Sequence, residues 1–483
     1  MSSRKKILSN YLYNLGFQIF SILAPLVTTP YVSRVLEADG VGMYSYTYTI
    51  ATVFVSFAQL GTISYSIREI AYCSEKKERS RIFWNVFVLR AITVLASLAV
   101  YGVLFFRIGV QYRDLFLVQS LCIVGVFFDV SWFFQGVEQF RVIAIRDVLS
   151  KIVSIICVFL FVKQKTDVGL YAFLLAAAII GGRLASWLAL PGYLEKPELQ
   201  FLSPFRDIRT ILVLFIPQVA NQLYIAVDKT MIGYMIPGGY ESGYYAQADR
   251  IIKLGIAVLT AIVAVISPRI AASYAAEKQE SVKKYAVGTI KFIEMIGIPM
   301  AAGISAVITH LIPWFFGSGY DPVAEIVYIL SVQVVIIGFT SVFGMILVNT
   351  KKQKQQALSV VVGVAVNILL NAMLIPTYNS TGAAVASVAA ELLIFCIEFY
   401  YLRSLIGWGD LLEDIGKYLV GATVVYAVVT FLKGRVEQTM AGTFLLVFVG
   451  AVVYFLILLI LQDKMIKKVL HEASKFLKAK KRG

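Results

Sequence analysis

Arg34-Val-Leu-Glu-Ala-Asp-Gly-Val-Gly-Met-Tyr-Ser45 is written a second time as Met235-Ile-Pro-Gly-Gly-Tyr-Glu-Ser-Gly-Tyr-Tyr-Ala246. Gly42 falls on Gly243 and Tyr44 on Tyr245, an offset of 201 residues. Working outward, the same offset carries Ile50 to Ile251, Arg68 to Arg269, Ala71 to Ala272 and Lys77 to Lys278. Further along it becomes 213, pairing Gly169 with Gly382, Ala176 with Ala389 and Ala177 with Ala390. An offset held across loop, helix and charged segment marks an internal duplication.

What is duplicated follows from composition. Of 483 residues, 59% are hydrophobic and 15% charged. A soluble domain carries about 45–50% apolar and about 25% charged residues, so this chain has too little polar surface to face water. A spanning helix needs about 20 largely apolar residues. Fourteen runs qualify, near 8–34, 41–68, 82–106, 112–138, 142–163, 168–194, 208–236, 241–268, 285–310, 322–350, 357–376, 381–403, 416–433 and 440–462. Breakers separate them at Ala38-Asp39-Gly40, Pro237-Gly238-Gly239, Gly317-Ser318-Gly319 and Asn379-Ser380-Thr381-Gly382. The expected fold is an all-α polytopic membrane protein with about 14 transmembrane helices. Each copy holds six helices, an even number, so the two lobes lie parallel in the bilayer with a substrate path between them. The lobes are residues 1–200 and 201–405. Residues 406–462 add a helix pair outside the repeat, and 463–483 form a basic cytoplasmic tail suited to an anionic leaflet.

The formal net charge of +15 would suggest nucleic acid in a soluble protein. Here the basic residues sit between apolar runs, which points to anionic phospholipids instead. With the N-terminus inside, cytoplasmic segments hold 31 Lys and Arg and external ones 7. That asymmetry puts both termini in the cytoplasm. Two histidines and four scattered cysteines make neither a metal site nor a disulfide framework. No P-loop, GxSxG or paired-carboxylate cluster occupies the loops, and no connection is long enough for a catalytic domain. A membrane glycosyltransferase or polymerase is the competing class, and it lacks support. No cofactor is expected.

Ionisable residues inside the apolar runs are costly and normally face a cavity or a partner. The basic ones are Arg90, Arg183, Lys229, Arg250, Lys253 and Lys291; the acidic ones are Asp129, Asp228, Asp249, Glu294 and Glu391. Asp249 with Lys253 and Lys291 with Glu294 are at helical spacing for ion pairs. Arg90 and Arg183 have no acid within reach on their own helices, so each needs water, another helix or an anion. Arg presents a planar fork suited to phosphate. The alternative partners for the two are Asp129 or Glu391 on a neighbouring helix. Asp249 and Glu391 are the first candidates for ion coupling.

Three passages resemble a known family: Arg34–Tyr46 with Leu60–Tyr72, Trp132-Phe-Phe-Gln-Gly-Val-Glu-Gln-Phe140, and Asp228-Lys-Thr-Met-Ile-Gly233 followed by Gly243–Ile251. They resemble the Wzx-type oligosaccharide flippases, or polysaccharide transporters, of the MOP superfamily. The resemblance spans about residues 5–405. It implies a MOP/MATE-like fold with the lobes open in a V, and gives Arg34, Gly42, Tyr44, Arg68 and Arg269 structural roles. It further implies a monomer in the bacterial cytoplasmic membrane that moves undecaprenyl-pyrophosphate-linked repeat units for O-antigen, capsule or related glycans. A glycan polymerase and chain-length proteins are the implied partners. Teichoic-acid-unit and lipid II flippases, and MATE-like drug exporters, are the related alternatives.

Overall fold

The computed structural model describes residues 3–108, 110–198, 200 and 202–467. Most of the expected tail, and the side chain of Arg4, lie outside what is described. The described chain is helical and gathers into two compact units, Met1–Gly243 and Tyr244–Gly483.

In the first unit α1 is Ser3–Gln59, α2 Thr62–Tyr72, α3 Lys76–Ile108, α4 Arg113–Phe128, α5 Ser131–Gly136, α6 Phe140–Phe161, α7 Val168–Trp187 and α8 Ile208–Met235. The expected boundary near residue 38 is a break within α1 at Glu37, φ 55° and ψ −178°. The run expected over 112–138 is not continuous, because α4 ends before Asp129 and α5 begins after Val130. That break is held by one donor from a distant helix and one from the next turn. Trp187 Nε1 donates to the Phe128 carbonyl at 2.9 Å, and Trp132 Nε1 donates to the Asp129 carbonyl at 2.9 Å. Carbonyls freed at a helix end inside a membrane protein need such donors. Trp132, Phe133 and Phe134 of α5 pack with Phe83, Tyr65, Ile70 and Ile211 in one buried core. Helix α8, the first beyond the expected lobe boundary, packs against α1. Gln218 donates to Gln59 Oε1 at 3.1 Å and Gln222 to Thr52 Oγ1 at 3.0 Å.

In the second unit α9 is Tyr240–Ala275, starting just before the unit boundary, α10 Gln279–Phe315, α11 Pro322–Asn349, α12 Gln353–Leu402, α13 Trp408–Leu412, α14 Ile415–Lys433 and α15 Met440–Ile460. Helix α12 breaks at Asn379, φ 53°, inside the breaker expected at 379–382. Gly317 and Gly319 take φ of 97° and 84° in the turn before α11, a region glycine enters without steric cost. Among the described residues, eleven helical stretches are long and apolar enough to cross a membrane. Two of these, Leu23–Tyr72 and Gln353–Leu402, are each 50 residues long and contain the breaks. The helix count is roughly consistent with the fourteen runs expected. This is a multi-pass membrane protein.

The C-terminal pair is fastened to α10. The Val436 carbonyl can only accept, so His310 Nε2 donates to it at 3.2 Å. His310 Nδ1 lies 2.9 Å from Thr443 Oγ1, a hydroxyl that also accepts from Trp314 Nε1 at 2.6 Å and donates to the Thr439 carbonyl at 3.0 Å. Thr443→Val keeps the shape and removes all three contacts of the hydroxyl. It should destabilise the protein by about 1–3 kcal/mol, the cost of buried polar groups left unmatched. A thermal midpoint in detergent equal to wild type would contradict this.

Candidate functional site

The break at Asp129–Val130 is where the first unit concentrates charge. Arg90, from the middle of α3, is 1% exposed. Its Nε donates to Thr62 Oγ1 at 2.8 Å and its Nη1 to the Asp129 carbonyl at 2.6 Å. The guanidinium lies 5.6 Å from the Trp132 ring centroid, within cation–π range. Nη2 is buried without a hydrogen-bond partner. Arg90 thus stitches α2, α3 and the broken strand of backbone together.

Arg183, from α7, approaches the same point from another side. Its Nη2 lies 3.8 Å from Asp129 Oδ2, and its side chain is 20% exposed against 10% for the aspartate. At that distance the two share charge but no hydrogen bond. Among the described residues Arg183 makes no hydrogen bond within the protein. Gly125 leaves the room: a Cβ there would sit 2.8 Å from Arg183 Nη1. Asp129 Oδ1, by contrast, is fixed, accepting from the Ser131 backbone N–H at 3.0 Å and from the Ser131 hydroxyl.

A third arginine joins them. Arg146 Nη1 donates to Ser131 Oγ at 3.0 Å and Ser186 Oγ at 3.1 Å. Its Nε and Nη2 donate to Asp147 Oδ1 at 2.9 and 2.7 Å. By sequence it counts as a cytoplasmic loop charge, yet it lies within α6. Its place five residues inside an apolar run was the available signal. The structure therefore gathers Arg90, Asp129 and Arg183 of the expected set, adds Arg146, Asp147, Ser131 and Thr62, and leaves three guanidinium groups facing two carboxylates.

The remaining expected residues are dispersed. Asp228 and Lys229 are half-buried on α8. Asp249 and Lys253 form the expected i,i+4 pair at 2.8 Å on α9, and Arg250 beside them is exposed. The pair expected between Lys291 and Glu294 does not form. Lys291 contacts Glu413 and Asp414, the latter at 3.1 Å, tying α10 to the base of α14. The competing carboxylates come from more than 100 residues away, beyond any helical-spacing rule. Glu294 is fully buried with neither oxygen hydrogen-bonded. Glu391 accepts from Thr340 Oγ1 at 2.6 Å. Glu398, not expected from sequence, accepts from Ser359 Oγ at 2.9 Å while its other oxygen is buried and unmatched.

Of the motif residues, Arg34 is exposed and donates to the Pro30 carbonyl at 3.4 Å. Arg68 pairs with neighbouring Glu69 at 2.9 Å, and Arg269 is exposed on α9. Tyr44 stacks on Tyr48 with centroids 5.4 Å apart and meets Tyr171 edge-on at 4.8 Å. Gly42 packs against the 239–243 segment, the start of the second copy of its own motif. No group of three or more potential metal ligands occurs among the described residues.

Residues 7–274 match the sequence profile described as polysaccharide biosynthesis protein, and residues 214–373 match the MatE profile. A protein of Escherichia coli (strain K12) named "Putative O-antigen transporter" is 22% identical over 404 residues, covering 82% of this chain and 96% of the relative. A solved structure of the lipid II flippase MurJ, in an inward closed conformation, matches at TM-score 0.73 and 14% identity, covering 94% of this chain and 100% of that one. An inward-facing MATE family multidrug resistance transporter of the MOP superfamily matches at TM-score 0.64 and 17% identity, covering 81% and 97%. At these identities the structural matches speak for the fold alone.

Proposed function

The chain belongs to the polysaccharide biosynthesis protein family, whose profile covers more than half of it, and from that premise we propose that it is a flippase for lipid-linked oligosaccharides. Its substrate is an undecaprenyl-pyrophosphate-linked repeat unit for O-antigen, capsule or a related surface glycan. It carries the unit across the bacterial cytoplasmic membrane by alternating access, without covalent chemistry. The duplication supports lobes at 1–200 and 201–405 as the moving parts, and the Lys and Arg asymmetry supports cytoplasmic termini.

One observation carries the reading: an arginine set within the first unit in which Arg183 keeps its donors unspent. A diphosphate crossing a low-dielectric interior must stay solvated or paired, since an isolated buried charge is prohibitively costly. Arg183 offers the bidentate fork that such a headgroup needs. Arg90, sealed by Thr62, Trp132 and the Asp129 carbonyl, holds the backbone that positions it.

Deleting the gene should leave lipid-linked units assembled but unpolymerised on the cytoplasmic side. Delivery of those units to the outer face in the deletion strain would refute the proposal. In complementation, Arg183→Gln should reach the membrane at wild-type abundance and restore less than about a tenth of the surface glycan, corresponding to the loss of a charge-assisted bond of about 1.5–3 kcal/mol. Full surface glycan would remove Arg183 from the path.

A further inference from the structure

We propose that Asp129 is a specificity-determining counter-charge, which keeps the Arg183 site from being occupied by ordinary anionic phospholipids. The inference rests on the reading that Arg183 receives a phosphate-bearing headgroup. A cationic site that admits lipid from a bilayer meets an immediate competitor. Anionic phospholipids carry a phosphate too, and they vastly outnumber any biosynthetic intermediate. Affinity for the correct headgroup is therefore insufficient, and discrimination needs an element that acts against the wrong one.

Asp129 has the properties such an element requires. Its carboxylate is nine-tenths buried, so water screens it poorly. Ser131 holds Oδ1 through both its backbone N–H and its hydroxyl, so the group cannot swing aside when an anion arrives. Oδ2 faces Arg183 from 3.8 Å, too far to consume a hydrogen-bond donor. The arginine thus loses positive potential to its neighbour without losing the geometry that grips a phosphate. A purely structural ion pair would close to hydrogen-bonding distance, as Arg146 does with Asp147 at 2.7 Å.

The sorting follows from Coulomb's law, because the attraction of an anion to the site scales with the anion's own charge. With Asp129 ionised the net potential at the site is small, and a monoanionic phosphodiester gains little from it. A diphosphate carries more charge over more oxygens. It draws proportionately more from the surplus of three arginines over two aspartates, and one oxygen pair can take the Arg183 fork while the rest stay clear of Asp129. Neutralising Asp129 raises the potential and lets the monoanion in.

The test uses the full chain purified and reconstituted in phosphatidylcholine vesicles with a trace of fluorescent NBD-labelled phosphatidylglycerol. Movement between leaflets is read by dithionite quenching, with NBD-labelled phosphatidylcholine as the zwitterionic reference. Asp129→Asn keeps an oxygen for Ser131 and removes the charge; Asp129→Thr, which removes the charge with a different shape, is run beside it. Either variant should move phosphatidylglycerol at least tenfold faster than wild type, with phosphatidylcholine unchanged. An unchanged phosphatidylglycerol rate in a folded variant overturns the proposal, as does an equal rise for both lipids. Arg183→Gln separates the two levels of argument. If it retains surface glycan, the headgroup reading itself fails. If it loses glycan while the Asp129 variants stay selective, only the counter-charge inference fails.

Discussion

Membranes from cells making the Arg90→Ala protein should contain no more than about a tenth of the wild-type amount, measured by quantitative immunoblot and by size-exclusion chromatography in detergent. The side chain is one of the largest fully buried ones in the molecule. Truncation leaves a void against Trp132, removes the donor to Thr62 Oγ1, whose own proton still goes to the Gln59 carbonyl, and weakens the cap on the Asp129 carbonyl. Breaking a buried charged network by removing one member costs about 3–5 kcal/mol. That is comparable to the whole stability margin of many proteins, about 5–15 kcal/mol. Arg90→Lys should recover part of the loss, since an ammonium on a shorter stem reaches one of the two acceptors but lacks the planar fork that spans both. Arg183→Gln provides the contrast, because among the described residues nothing hydrogen-bonds to that guanidinium. A well-folded, abundant Arg90→Ala protein lacking transport would move Arg90 from the framework to the substrate path.

Sequence distinguishes these two arginines poorly. Both lie in apolar runs without an acid within reach on their own helix, and both therefore qualify as anion ligands. What separates them is the break at Asp129–Val130, whose local cue is slight: the Asp129 side chain accepts from the Ser131 N–H two residues on. The run Leu121–Trp132 contains neither proline nor a glycine at the break. The two carbonyls freed there are held by Arg90 and Trp187 from distant helices and by Trp132 three residues further on. Such a break is visible only once the helices are packed. Lys291 makes the same point, since its expected partner Glu294 is three residues away and its actual ones, Glu413 and Asp414, lie beyond the repeat.

Other features were legible for physical reasons. Hydrophobic length places membrane helices because the bilayer leaves few alternatives for the backbone. Breaks at Asn379 and at the glycine-bearing turns fall where residues tolerant of positive φ occur. The Asp249–Lys253 pair forms because its spacing is satisfied within one helix. The resemblance to oligosaccharide flippases rests on passages such as Trp132–Phe140, which the structure assigns to the aromatic core around α5. The family profile covers the same segments. Those passages preserve the scaffold of the break and carry no record of the sugar.

The duplicated motif also hides a contact that its repetition alone did not disclose, and the second large effect is expected there. A Cβ at Gly42 would lie 1.8 Å from the Gly239 carbonyl oxygen and 2.5 Å from the Gly243 nitrogen. A Cβ at Gly243 would lie 1.9 Å from the Ala38 carbonyl oxygen. At the 201-residue offset Ala38 corresponds to Gly239 and Gly42 to Gly243, so the two copies touch reciprocally, each glycine against the other copy's small residue. Both copies read small-x-x-x-small, the spacing that lets helix backbones cross closely in membranes. The obstructing atoms are backbone, which cannot rotate away as a side chain would. Gly42→Ala and Gly243→Ala should each cost at least the upper part of the overpacking range, about 3 kcal/mol. Because one contact is being opened from either side, the double variant should cost less than the sum. Gly102→Ala is the reference. That glycine sits within α3 with open space at its Cβ position, so alanine there should be neutral or stabilising by up to about 1 kcal/mol. Thermal midpoints in detergent, read beside surface glycan in the complemented strain, test the contact. Wild-type midpoints for both Gly42→Ala and Gly243→Ala would mean that the two copies of the motif do not meet as closely as 1.8–1.9 Å requires.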